Sequence, residues 1–275
     1  MLKGSLFGCY AWLTAITLVG ADDLPMAVNA SPKLQYLIDR WRDVQFEPTG
    51  DGANYQFQAT PLMQWQNPIS GADGAVFVWT SAGRPVVLCK CHVNDIKQHY
   101  VSSSVSLATE RFVMKAGGRI IWSPQEPGLT RRAVPDTNVP ADRDTGRLVQ
   151  MRAIARRFRM ISVWGEENSS EWELRLLPTP LLRYSSPQHG VIDGALFGFA
   201  QGTNPETIVL VEAVQTPKGT EWQAAPARAT GYAVRAWLDD DLVLDVPAVR
   251  TAIVNSTYHH VYERPSPYPF AKAAE

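Results

Sequence analysis

Two short acidic triplets, Asp73-Gly74-Ala75 and Asp193-Gly194-Ala195, offer the residue types that acid–base chemistry needs. Two carboxylates brought face to face share one proton and split into an acid and a base. Asp73 and Asp193 are therefore the candidate catalytic residues, and a hydrolase or isomerase pairing one of them with a histidine is the enzyme alternative. The same triplets also open strands as ordinary turns, and no Asp-Thr-Gly or Asp-Ser-Gly triplet accompanies them. Cys89, Cys91, His92 and His99 could be taken for a metal cluster, but zinc sites in loops space their ligands by two or more residues. On a strand Cys89 and Cys91 share one face and His92 takes the other, so no metal site is expected. Ser102, Ser103, Ser104 and Ser106 lack the Gly-x-Ser-x-Gly elbow that exposes a nucleophile and read as a polar strand face. His189, His259 and His260 have no partner that spacing assigns. The arginines at 147, 152, 156, 157 and 159 could meet an anion or flank a packed helix. No phosphate loop, dinucleotide fingerprint or haem attachment motif is present, so no cofactor is expected.

The aromatics add a second set of candidates. Trp65, Trp79, Tyr184 and Phe199 recur at matched places and either line a ligand pocket or fill the core. They recur because the chain reads as an internal duplication. Pro61 and Pro180, Trp65 and Tyr184, and Pro68 and Pro187 are each 119 residues apart. Asp73 and Asp193, Phe77 and Phe197, and Pro85 and Pro205 are 120 apart. Short insertions between strands produce such a drift.

Elements that would position these residues follow from patterning. Ser31-Pro32 is an N-cap with proline at the first helical position. Leu34, Leu37, Ile38, Trp41 and Val44 then keep helical spacing. Tyr55, Phe57 and Ala59 alternate with glutamines as in a half-buried strand, and Pro61 is expected to end that ladder. Further strands are expected at 74–80, 85–92, 99–107, 109–115 and 119–123. Residues 124–146, rich in proline and poor in aliphatics, form a linker. A second helix is expected with Leu148, Met151, Ala155 and Phe158 on one face. Strands follow at 194–200, 207–213, 221–229, 231–237 and 242–246, and residues 247–275 form an extended tail. Cys89 and Cys91, with Cα atoms about 6.5 Å apart on one strand, stand at the far edge of disulfide range and are expected as free thiols.

Residues 1–21 carry Lys3, an apolar run from Leu6 to Val19 and small residues at Val19-Gly20-Ala21, the pattern of an export signal. The run is shorter than the roughly 20 residues of a spanning helix. Against 26 Lys and Arg stand 27 Asp and Glu, a balance that gives no general attraction to nucleic acid or anionic membrane. The expected place is the periplasm or the extracellular space, with no membrane span once the signal is cleaved.

Four stretches look like a family of exported proteins of planctomycete-type bacteria. They are Asp-Gly-Ala-Val-Phe-Val-Trp-Thr-x-x-Gly-Arg-Pro from Asp73, the run from Arg147 to Phe158, Glu-Leu-Arg-Leu-Leu-Pro-x-Pro-Leu from Glu173, and Asp-Gly-Ala-Leu-Phe-x-Phe-x-Gln-Gly-Thr from Asp193. The resemblance implies export and this organisation and brings no site residues with it. Together these observations predict an α+β fold with an internal duplication: two copies of a helix plus a curved antiparallel sheet, at 31–123 and 147–246. Element order is analogous to cystatin-like or nuclear-transport-factor-like rolls. The function expected is a non-catalytic binding or envelope-associated module for a protein or small ligand.

Overall fold

A computed structural model describes residues 31–50, 54–164, 170–249, 254–264 and 268. The expected export signal (1–21) and the prolines of the tail, Pro265, Pro267 and Pro269, lie outside these residues.

Ser31 caps α1 (Pro32–Arg42): its Oγ accepts a hydrogen bond from the Leu34 N–H at 3.2 Å. This satisfies one of the helix's orphan donors. Leu34, Leu37, Ile38 and Trp41 are buried beneath it. There follow β1 (Gln45–Pro48), β2 (Gln56–Asn67), β3 (Ala72–Ser81), β4 (Arg84–Asn94), β5 (His99–Ser106), β6 (Phe112–Ala116), β7 (Arg119–Trp122) and β8 (Arg132–Ala133). After α2 (Asp144–Ala155) come β9 (Phe158–Trp164), β10 (Ser170–Glu173), β11 (Arg175–Leu176), β12 (Leu182–Ser186) and a 3-10 turn at Pro187–His189. The last strands are β13 (Val191–Ala200), β14 (Thr207–Thr216), β15 (Gly219–Arg228), β16 (Ala233–Leu238), β17 (Asp241–Val246) and β18 (Tyr258–Glu263).

The α+β class expected from the sequence is overturned. Strand accounts for 55% and helix for 12%, so this is a β-rich fold, with two α-helices among the described residues. The roll analogy goes with it, because a roll packs its sheet on a helix, whereas here the two large sheets pack on each other. One sheet runs β18-β5-β4-β3-β2 and the other β11-β13-β14-β15-β8, with β12 also pairing with β13. Between them lies a shared core of Val76, Leu88, Val105, Leu196, Ile208, Leu210, Ala225 and Tyr258. The helices cover the outer faces, α1 over β3 and β4, α2 over β13 and β14. Two lateral sheets, β1-β6-β7 and β10-β9-β16-β17, complete the layers. Strands β3 and β13, covered on both faces, are continuous apolar runs instead of alternating ones, as burial on both sides requires.

Local differences from expectation have physical causes. Strand β2 passes through Pro61, and a register shift between Gln58 and Met63 absorbs the missing donor. Helix α2 stops at Ala155, and Phe158 opens β9 opposite Leu238. Phe158 satisfies a helical spacing from Leu148 and a strand spacing with Met160 equally well, so periodicity could not choose between them. Two residues of the linker, Arg132 and Ala133, form an edge strand on β15. The tail returns as β18 along β5. Cys89 and Cys91 are buried free thiols. Among the described residues no helix is long and apolar enough to cross a membrane.

Candidate functional site

Between the first large sheet, strand β9 of the lateral sheet and the segments leading into β14 and β16 opens a cleft of about 510 Å³. Its floor is the inner face of the first sheet, where strand alternation brings polar groups into register. Across β3, β4, β5 and β18 the partners are Val76, Lys90, Ser103 and His260. The neighbouring rows bring in His92, beside Gly74, and Asn94 with His99. The corresponding row on β12 to β15 is apolar throughout: Leu182, Leu196, Leu210 and Ala225. Trp65 forms one flank. Its ring lies over Gly74, where a Cβ would meet Trp65 Cζ2 at 2.1 Å, so only glycine admits it. The opposite wall comes from the second half, with Trp164 and Tyr232 stacked at 4.6 Å between centroids, and with Glu206 and Val249.

The polar groups of the floor are held in place. Lys90 Nζ donates to the Pro205 carbonyl at 2.9 Å, and Ser103 Oγ lies 3.0 Å from His260 Nδ1. Burial lowers the Lys90 amine below its ordinary range, against the pull of Glu206. Burial likewise holds the His92 imidazole near a pKa of about 3, helped by Lys90, His99 and His260. His260 is lowered by burial and by Lys90. These imidazoles are neutral at pH 7; His260 is the one hydrogen-bonded to Ser103, and His92 lies against the rings of Trp65 and His99. Glu206 is 5% exposed, and its backbone is fixed on both sides, N–H to Phe199 O and C=O from Ala229 N–H, each at 2.8 Å. Its Oε2 is buried with no hydrogen-bond partner.

The aspartates are not brought together. Asp73 pairs with Lys33 of α1, which also bridges to Asp95, and borders a smaller depression of about 310 Å³. Asp193 takes Arg147 of α2 at 2.9 Å and Arg183 at 2.7 Å. Burial works against its ionisation, but the two arginines outweigh that and hold its carboxyl below the usual range. Neither aspartate lines the cleft.

Of the aromatic candidates, Trp65 alone borders the cleft. Trp79 is fully buried under α1 against Trp41 and Phe46. Phe199 is in the core beneath α2. Tyr184 is buried, its hydroxyl donating to Glu212 Oε1 at 2.7 Å, and Arg84 and Arg131 bind the same carboxylate. Of the arginine-rich run, Arg157 pairs with Asp239 and Arg159 stacks on Trp237. His189 meets Ser186 Oγ at 2.7 Å. Among the described residues no group of three or more His, Cys, Asp or Glu side chains has the arrangement to hold a metal ion.

Sequence reasoning missed Lys90, Ser103, Glu206 and His260 as one site. A signal existed: Lys90, His92 and Asn94 occupy alternate positions of a strand that is otherwise apolar from Pro85 onward. Nothing in the sequence showed that this face looks inward. No family model, curated protein or solved structure matches the chain.

Proposed function

We propose that this chain is an exported, non-catalytic binding module whose cleft over the first large sheet holds a small molecule. The observation that carries this is the polar floor of Lys90, Ser103, His260 and His92, continued by Asn94 and His99 and facing a cavity of about 510 Å³. Volumes of this order suit small ligands, and aromatic flanks with few fixed polar groups are what such sites use. The near-balance of charge supports a small ligand or protein over nucleic acid. Two tandem units, 31–123 and 147–246, are part of the same proposal. They are supported by the equal order of β1-β6-β7 and β9-β16-β17 and by the matching Trp65–Gly74 and Tyr184–Gly194 contacts.

The test is thermal unfolding with a small-molecule library, on the wild-type chain and on Ala72→Trp, which fills the cleft. Hits should raise the wild-type Tm and leave the variant unmoved. A library without hits, or hits that stabilise both alike, would refute a ligand site here.

One observation favours a hydrolase or isomerase instead: the 3.0 Å contact of Ser103 with His260, within the reach a nucleophile and base require. Against it, Ser103 sits mid-strand with its ladder shared between β4 and β18. That leaves few backbone N–H groups to receive an oxyanion. Covalent labelling of Ser103 by a fluorophosphonate, abolished in His260→Gln, would favour the enzyme.

A further inference from the structure

Lys90 and Glu206 are the two charged side chains buried in the cleft, one on the floor and one on the wall. Their arrangement is unusual for opposite charges in one cavity. Lys90 Nζ is bonded to a carbonyl, Pro205 O, while Glu206 Oε2 has no hydrogen-bond partner. The two groups interact through space without closing an ion pair. The Glu206 carboxylate, on a residue that lines the cleft, makes no ion pair or side-chain hydrogen bond among the described residues, and a buried carboxylate without a partner is costly.

Resting on the cleft being a ligand site, we propose that it binds a zwitterion of amino-acid size, its carboxylate on Lys90 and its ammonium on Glu206. A molecule carrying both groups satisfies both walls at once. A plain carboxylic acid leaves Glu206 unpaired, a plain amine leaves Lys90 with its carbonyl alone, and a neutral sugar completes neither. Trp65, Val101, Val249 and the Trp164–Tyr232 stack supply the apolar surround for a side chain. Ser103 and His260 add neutral donors and acceptors beside the carboxylate position. Truncating one partner of a buried, hydrogen-bonded charge pair weakens binding steeply, because the other charge is left unpaired.

The experiment is isothermal titration calorimetry of the full chain with three probes that share one ring: L-phenylalanine, 3-phenylpropanoate and phenethylamine. Phenylalanine should bind at least tenfold more tightly than either analogue. Glu206→Gln should reduce phenylalanine affinity at least tenfold and leave 3-phenylpropanoate unchanged, and Lys90→Met should do the converse with phenethylamine. The three-probe comparison on wild-type protein stands even where a variant fails to fold. Equal binding of all three, or absence of phenylalanine binding, overturns the zwitterion proposal. If 3-phenylpropanoate alone binds, and Ala72→Trp abolishes it, the cleft remains a ligand site of a different class. If the library also gives no hits, the ligand site falls with it.

Discussion

Tyr184, Gly194 and Glu212 stand side by side on β12, β13 and β14; Trp65, Gly74 and His92 stand in the same register on β2, β3 and β4. In both rows an aromatic ring lies across a bare glycine. In the first row the third residue is a carboxylate bound by Arg84, by Arg131 and by the Tyr184 hydroxyl. Burial resists its ionisation, and the arginines more than offset this, so Glu212 titrates below the usual carboxylate range. In the second row the third residue is an imidazole that burial keeps neutral, and beside it the space is empty. One row has been closed by complementary charge and the other left open. A cleft therefore persists where no charged side chain reaches across to the third residue of the row.

Breaking the closed row gives the largest expected effect. Arg84→Met leaves Glu212 short of a partner and should lower unfolding stability by about 3 kcal/mol, the scale for a broken buried pair. Urea denaturation measures it. A triple variant, Arg84→Met, Arg131→Met and Glu212→Leu, should recover more than half of that loss, since apolar replacement of a whole buried ion cluster is tolerated.

The glycines sharpen the contrast. A Cβ on Gly74 would lie 2.1 Å from Trp65 and one on Gly194 2.7 Å from Tyr184, so distance alone makes Gly74→Ala the worse change. Trp65 borders open space, however, while Tyr184 is pinned to Glu212. We expect Gly194→Ala to cost about 2–3 kcal/mol and Gly74→Ala about 1–2 kcal/mol, within the range for overpacking. The opposite order, read from chemical denaturation, would mean that the cleft gives Trp65 no room.

The helix starts differ in the opposite direction to the rows. Ser31 caps α1, whereas Arg143 gives α2 no side-chain cap. Ser31→Ala should cost about 1 kcal/mol and Arg143→Ser should gain several tenths, both visible as shifts in Tm.

Acid should separate the rows by pH window. His92 has a folded pKa of about 3 against about 6.5 unfolded. The unfolded chain therefore binds the proton first, and stability falls as pH drops from about 6.5 toward 3, by up to about 1.4 kcal/mol per pH unit. His92→Gln should flatten that slope between pH 6.5 and 5. The lowered carboxyl of Glu212 contributes stability above its unfolded value, lost only as pH falls through the lower folded one. Glu212→Gln should therefore leave the upper window unchanged.

Much of this was legible in the residues. Helix α1, its cap and the strands β3 to β7 and β13 to β17 follow from periodicity and turn residues, because each is decided by neighbours a few positions away. The class was not, because β1, β9, β12 and β18 are short or mixed in pattern and exist through pairing with distant strands. Phe158 shows the limit: one spacing fits two elements, and the partner Leu238 decides. The site was less legible still. Trp65 was singled out and does flank the cleft, but Asp73 and Asp193 were drawn into ion pairs by Lys33 of α1, Arg147 of α2 and Arg183 of β12, contacts that only the folded chain provides. Glu206 carries no motif and matters through one unbonded oxygen.

Strand β18 binds the early and late parts of the chain into a single cooperative object. His260 reaches Ser103 across 157 positions of sequence, so the edge of the first sheet stays bare until a segment from beyond the second half zips onto it. Contacts that distant form slowly, after the intervening loop entropy is overcome. An excised fragment ending at residue 123 would expose β5 as a sticky border and aggregate, and it would carry half an incomplete cleft.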